Sequence, residues 1–139
     1  MPIQAGLSRV TQGTAEILDD YVPGLKDLDG FSHVILLYHF DRVTQTRLEV
    51  IPYLDEEYRG VFATRAPVRP NHIGMAVVEL ERIEGNVLHF RGADMLDGTP
   101  LLDIKPYVGE FDAPAVERIG WLAEARQRMP DKRADDRFE

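Results

Sequence analysis

Two arginines four residues apart in a proline-stiffened stretch are the first residues here whose type and spacing suggest chemistry. In Gly60-Val61-Phe62-Ala63-Thr64-Arg65-Ala66-Pro67-Val68-Arg69-Pro70-Asn71-His72-Ile73-Gly74, Pro67 and Pro70 restrict the backbone around Arg65 and Arg69. A restricted backbone loses less entropy when a guanidinium is aimed, and the planar fork of arginine matches a carboxylate or phosphate in two-pronged contact. The same composition also suits a rigid surface loop whose arginines simply reach into water, so the loop by itself leaves both accounts open.

A second segment, Gly92-Ala93-Asp94-Met95-Leu96-Asp97-Gly98-Thr99-Pro100-Leu101-Leu102-Asp103-Ile104-Lys105-Pro106-Tyr107, is rich in carboxylates. Asp97-Gly98-Thr99-Pro100 is an ordinary turn composition. Asp103 is less ordinary, because it interrupts an apolar strand and Lys105, two residues on, shares its face. Either the two charges satisfy one another, or they line a pocket. A third segment, Leu28 to Arg42, places His33, Ile35, Leu37 and His39 on one face of a strand and Val34, Leu36, Tyr38 and Phe40 on the other. Neither histidine has a second ligand at a recognised metal-site spacing, so no metal is expected. The glycine-rich dinucleotide fingerprint, the phosphate loop, the zinc-protease helix motif and the nucleophile elbow are all missing from the sequence. Their absence argues against a doubly wound methyltransferase or dehydrogenase.

The elements that must hold these segments read as mainly β. Ala15–Leu18, Phe31–Phe40, Leu48–Ile51, Gly74–Ile83, Val87–Phe90 and Leu101–Ile104 are β-branched or aromatic runs bounded by Gly, Pro or Asp. Glu84-Gly85-Asn86 reads as a hairpin turn. Several short strands without long helices between them predict a single compact β-barrel with short helices. One helix is expected over Asp19–Leu28, interrupted by proline. Another is expected after Pro114 near the C-terminus, with Val116, Ile119, Leu122 and Ala123 on one face and Pro130 ending it.

Residues 1–139 are read as one domain with a frayed, charged tail over about 131–139. The absence of cysteine excludes disulfides and thiolate metal sites and suits a cytoplasmic setting. No apolar run approaches the roughly 18–20 residues that span a bilayer, and Met1-Pro2-Ile3-Gln4 lacks a signal peptide's basic start. Neither a membrane nor DNA is therefore an expected partner. A formal net charge of −8 weighs mildly against polyanions in general, although a local patch can override it.

Taken together, the three segments resemble those of the TrmO/TsaA-like family, whose members include the tRNA N6-threonylcarbamoyladenosine N6-methyltransferase. The match rests on Leu28-Asp29-Gly30-Phe31-Ser32-His33, on Gly60 to Arg65 continuing through Arg69 to Gly74, and on Asp94 to Pro100 continuing through Asp103 to Tyr107. It runs from about residue 2 to Tyr107, and Gly120-Trp121-Leu122 also fits compact members. The resemblance implies a β-barrel, a homodimer, S-adenosylmethionine bound near the subunit interface, and a tRNA adenosine as methyl acceptor. Carried over position by position, the cofactor would meet Ile3 and Gln4, Asp41 and Arg42, Arg65, Met75, and Gly92, Ala93, Asp94, Met95 and Leu96. Arg69 and Asn71 would face the acceptor, and Asp97, Asp103, Lys105 and Tyr107 would serve the reaction. A small metabolite as acceptor, or cofactor binding without turnover, are the alternatives.

The implied reaction is an in-line displacement at the sulfonium methyl, helped chiefly by positioning, with Asp97 or Asp103 available to accept the amine proton. A splayed base would need an aromatic partner, for which Tyr107, Phe62, Tyr58 and Trp121 are candidates. The sequence departs from the family pattern in several places. Asp41 stands where histidine is frequent, and Asn71-His72-Ile73-Gly74 replaces Asn-Pro-Ile-Gly. Family members also carry a further strand ahead of the segment matched by Pro2-Ile3-Gln4, and the tRNA-modifying members an additional C-terminal region.

Overall fold

A computed structural model describes residues 11–93 and 95–127. Seven strands account for most of the regular structure: β1 (Gln12–Glu16), β2 (His33–His39), β3 (Glu49–Val50), β4 (Arg59–Gly60), β5 (Ile73–Glu84), β6 (Val87–Arg91) and β7 (Leu101–Pro106). Five of them form an antiparallel sheet in the order β1-β6-β5-β2-β7, and β3 and β4 pair separately. The alternation visible in the sequence sets the faces. Val34, Leu36 and Tyr38 of β2 are buried, whereas Ile35, Leu37 and His39 lie on the opposite face with partial exposure.

The core sits on one side of this sheet. Ile17, Val34, Leu36, Val78, Leu80, Leu88, Phe90 and Ala93 pack together, with Met95, Leu101 and Ile104 against their margin. Complete burial of a side chain such as Leu36 or Leu88 stabilises by about 1.5–3 kcal/mol. Close packing also explains two glycines. A Cβ on Gly13 would lie 2.8 Å from the Phe90 ring, and one on Gly74 would lie 2.5 Å from Tyr38 and 2.8 Å from Phe40. At both places an aromatic ring rests directly on backbone.

Several expectations need correction. Among the described residues the sheet is open, with β1 and β7 as its edges, so a closed barrel is not found. The run Asp19–Leu28 is not an α-helix. It forms 3₁₀ turns over Asp19–Leu25 and Leu28–Gly30, in keeping with Pro23 inside the first and Asp27 at φ +69° between them. The expected C-terminal helix forms over only part of its length. A single turn, α1 (Gly109–Asp112), precedes Pro114, and α2 (Leu122–Gln127) begins only after Gly120, whose φ is +61°. Proline disfavours helical geometry at the residue before it, which ends α1 at Ala113. Val116, assigned to the apolar helical face, is outside either helix and 69% exposed. The two-residue strand β4 has no counterpart among the expected strands, because Arg-Gly carries no strand signal of its own. Residues 131–139, expected to fray, lie outside the described residues.

Candidate functional site

The C-terminal end of β2 gathers the motifs. The backbone amide of His39 donates to the carbonyl of Pro100 at 3.0 Å, and that of Phe40 donates to His72 at 2.8 Å. Pro100 ends the aspartate turn and His72 ends the arginine loop, so the two segments flank one strand end. They are separated by about two strand spacings, or roughly 10 Å. Asp41 and Arg42 follow directly in the turn after β2, with the amide of Asp41 donating to the His39 carbonyl at 2.8 Å. Antiparallel pairing of β2 with both β5 and β7 is the cause, because it places the starts of β5 and β7 beside the end of β2.

The arginine loop is also tied to the segment that follows β2. His72 Nε2 donates to the Gln45 carbonyl at 3.0 Å and lies 3.3 Å from Thr46 Oγ1, and the Arg47 amide donates to the Val68 carbonyl at 2.8 Å. His72 holds φ +50°, which a proline ring cannot adopt. The departure from the family's Asn-Pro-Ile-Gly therefore has a structural correlate, a turn closed by a side chain instead of a pyrrolidine. His39 stacks on His72 with ring centroids 6.3 Å apart. Neither histidine was assigned a part in the site from sequence, since a left-handed residue and a contact between strand ends leave no local pattern.

The two loop arginines are used differently. Arg69 Nη1 donates to the Thr64 carbonyl at 2.7 Å and to Ala66 at 3.3 Å, and its guanidinium carbon lies 5.9 Å from the centre of the Phe62 ring. It braces its own loop. Arg65 is exposed and enters no ion pair among the described residues. The neighbouring Arg59 is fully engaged by Asp55 at 2.7 Å and Glu57 at 2.9 Å. The Arg59 hydrogen bond holds the Asp55 carboxyl at a pKa of about 2.

Asp97 and Asn71 are exposed in their turns. Gly98 takes φ +84°, and Thr99 Oγ1 donates to the Leu96 carbonyl at 2.5 Å, which fixes the aspartate turn. Asp103 and Lys105 lie on the outer face of β7 and pair with one another at 3.2 Å. Contact with Lys105, and then with the Ile104 amide, holds the Asp103 carboxyl below its ordinary range. The two charges satisfy one another, and Asp103 also borders a cavity. Tyr107 stands at the other end of β7, its ring tilted against His33 at 6.3 Å and roughly 20 Å along the strand from Pro100. The fold does not bring Tyr107 to the loop cluster.

The cofactor residues carried over from the family divide between the faces of one sheet. Ala93 and Met95 join the core side, whereas Met75 is 50% exposed on the outer face opposite Leu37. Ile3, Gln4 and Asp94 lie outside the described residues. A cavity of about 650 Å³ is lined by Tyr21, Leu25, Leu28, Phe31, Leu102 and Asp103, among others, where the 3₁₀ turns approach β7. It contains no arginine from the loop, and of the expected site residues that are described only Asp103 borders it. The donor set of the loop cluster fits the sulfonium nucleoside better. Arg65 can meet a carboxylate, Asp41 can meet ribose hydroxyls, and Leu96, 45% exposed, supplies apolar surface.

Strand order, loop cluster and donor set define an antiparallel β domain whose polar site is carried on loops at one sheet end. The chain belongs to the tRNA-methyltransferase O N-terminal domain family (TrmO_N), whose model matches residues 1–113. A probable S-adenosyl-L-methionine-binding protein of Pyrococcus abyssi is 52% identical over 138 residues, covering 99% of this chain and 75% of that protein. The mouse tRNA (adenine(37)-N6)-methyltransferase is 43% identical over 93 residues, covering 65% of this chain and 22% of the mouse enzyme. The crystal structure of TrmO from Pseudomonas aeruginosa superposes with a TM-score of 0.69 at 45% identity, covering 86% of this chain and 52% of that one. The chain thus spans only part of the tRNA enzymes it resembles.

Proposed function

We propose that this chain binds S-adenosylmethionine at the loop cluster and transfers its methyl group to N6 of a tRNA adenosine, the threonylcarbamoylated one beside the anticodon. The observation that carries the reading is the convergence of the arginine loop and the aspartate turn on the end of β2, through the hydrogen bonds of Phe40 to His72 and of His39 to Pro100. Family membership and the names of the relatives support the cofactor and the reaction class.

When bound, the cofactor supplies an electrophilic methyl on a positive sulfur. Transfer of that methyl would exchange the S–C bond for an N–C bond, leave S-adenosylhomocysteine, and require the N6–H proton to be taken up. Arg65 would hold the methionine carboxylate, Asp41 would engage the ribose, and Asp97 would take the proton on the acceptor side. Asp103, already paired with Lys105 at 3.2 Å, is the less available of the two aspartates. Arg69 shapes the loop on which Asn71 is presented.

The division of cofactor residues between two sheet faces supports a site completed by a second copy of the chain, so the functional unit is a homodimer. Closure of the open sheet into a barrel and residence in the cytoplasm belong to the same reading. No helix among the described residues is long and apolar enough to cross a membrane.

The net charge of −8 favours a second reading, in which the acceptor is a small metabolite rather than a polyanion. Incubation with methyl-tritiated cofactor distinguishes them. The expected result is label in a tRNA pool and none in a metabolite extract. Label only in the extract overturns the tRNA assignment, and cofactor binding with label in neither pool makes the chain a binding module.

A further inference from the structure

We propose that Phe62, backed by Arg69, is the platform on which an unpaired base of the RNA acceptor stacks, an inference that rests on the tRNA reading. Phe62 is 74% exposed, yet the 3₁₀ turn Val61–Ala63 that carries it is firmly held. Val61 is 1% exposed and its amide donates to the Leu48 carbonyl at 2.8 Å. Thr64 Oγ1 donates to the Val61 carbonyl at 2.8 Å, and Trp121 Nε1 donates to the Ala63 carbonyl at 2.8 Å across 58 residues of sequence. The ring is therefore held outward by its surroundings.

Scattered exposed aromatics are ordinary on protein surfaces, and Phe111 is 77% exposed with no cation–ring contact among the described residues. What sets Phe62 apart is a cation fixed beside its ring. Two backbone carbonyls hold Arg69 in place, so the guanidinium near the ring is pre-positioned and ordering it on binding costs little further entropy. Aromatic rings with adjacent guanidinium planes are the surface on which proteins stack splayed bases, largely regardless of base identity. In an acidic protein with little phosphate-neutralising charge to spare, stacking is the contribution best suited to hold RNA at this site.

The other aromatic candidates are less suited. The Trp121 indole is committed to Ala63, and Tyr107 leans on His33 at the far end of β7. Tyr58 is 68% exposed and no cation–ring contact is formed with it among the described residues. Phe62 also precedes Arg65 by three residues, so a base resting on it lies in the loop assigned to the cofactor.

The test uses the full chain and a fluorescein-labelled anticodon stem-loop RNA, with Phe62→Leu and Phe62→Trp compared to wild type. Stacking on one aromatic is worth a factor of roughly 5 to 150, so Phe62→Leu is expected to raise the RNA Kd by about tenfold or more, and Phe62→Trp to restore it. Calorimetric affinity for S-adenosylmethionine, Tm and sedimentation are expected to stay at wild-type values. Unchanged RNA affinity in Phe62→Leu overturns the platform. Equal loss of cofactor affinity overturns it by placing the ring in the cofactor pocket, and an altered sedimentation profile overturns it by placing the ring between subunits. Failure of the wild-type chain to bind the stem-loop removes the tRNA reading itself and the platform with it.

Discussion

The arginine loop and strand β7 each carry two charged residues in a family motif, and the molecule uses them in opposite ways. In β7 both charges are spent on each other, Lys105 on Asp103 at 3.2 Å, in the open on the outer sheet face. In the loop one charge is spent and one is kept. Arg69 is consumed by the Thr64 and Ala66 carbonyls, while Arg65, four residues earlier, stays exposed without an ion pair among the described residues. The difference teaches where to look for a ligand. A side chain whose donors are taken up by the protein's own groups shapes the scaffold, and an exposed guanidinium without an ion pair is available to a partner of opposite sign.

Breaking the loop's attachment to the sheet should have the largest effect. Gly74 joins the arginine loop to β5, and Tyr38 and Phe40 occupy the space a side chain would need. Gly74→Val has to displace two rings or the backbone, at a cost of about 3 kcal/mol or more, since overpacking of this severity exceeds the usual range. A drop in Tm of roughly 10 °C is expected in thermal denaturation followed by circular dichroism, with cofactor binding lost as well. A Tm equal to wild type would mean that the loop does not depend on close backbone contact with β2.

The arginine pair sharpens the comparison within the loop. Arg65→Ala is expected to weaken cofactor binding by about 1.5–3 kcal/mol, the worth of a hydrogen bond to a charged group, and to leave Tm unchanged. Arg69→Ala should instead lower Tm, because two carbonyls lose their donor, with cofactor affinity falling only as the loop loosens. Calorimetry and thermal denaturation of both variants separate the two roles. Identical profiles for the two would erase the distinction between spent and kept charge.

How far these roles could be read in advance depended on the range of the interaction. Strand faces were legible because alternation is local. His33, Ile35, Leu37 and His39 share a face as the sequence pattern requires. The pairing of Asp103 with Lys105 was legible for the same reason, being two residues apart in a strand. Arg69 could not be told from Arg65 by sequence, since its partners are carbonyls presented by the loop's own conformation. The contact between His72 and Gln45 spans 27 residues and relies on φ +50° at His72, for which the letters offer no cue. The C-terminal helix was legible only in part. Its apolar spacing was present and Leu122 and Ala123 lie in α2, but the helix begins only after the left-handed Gly120, which leaves Val116 and Ile119 outside it.

The smallest effect is expected at Asp103, and its size decides which aspartate matters. Asp103 and Lys105 are both about half exposed, so solvent screens their attraction and the pair is worth at most about 1 kcal/mol. Asp103→Asn should move Tm by a few degrees at most. Stability linked to a lowered carboxylate pKa is present above the ordinary aspartate range and is lost as pH falls through the lowered value. Any difference between variant and wild type should therefore be seen near neutrality and vanish in acid. Catalysis offers the sharper contrast. If Asp103 only satisfies Lys105, methyl transfer by Asp103→Asn stays near the wild-type rate, whereas loss of a proton acceptor lowers it by about 10²–10⁴. The spent-charge reading requires the first outcome at Asp103 and the second at Asp97. The reverse pattern in single-turnover transfer would mean that the β7 pair, despite its mutual contact, is the chemical centre and the loop aspartate the bystander.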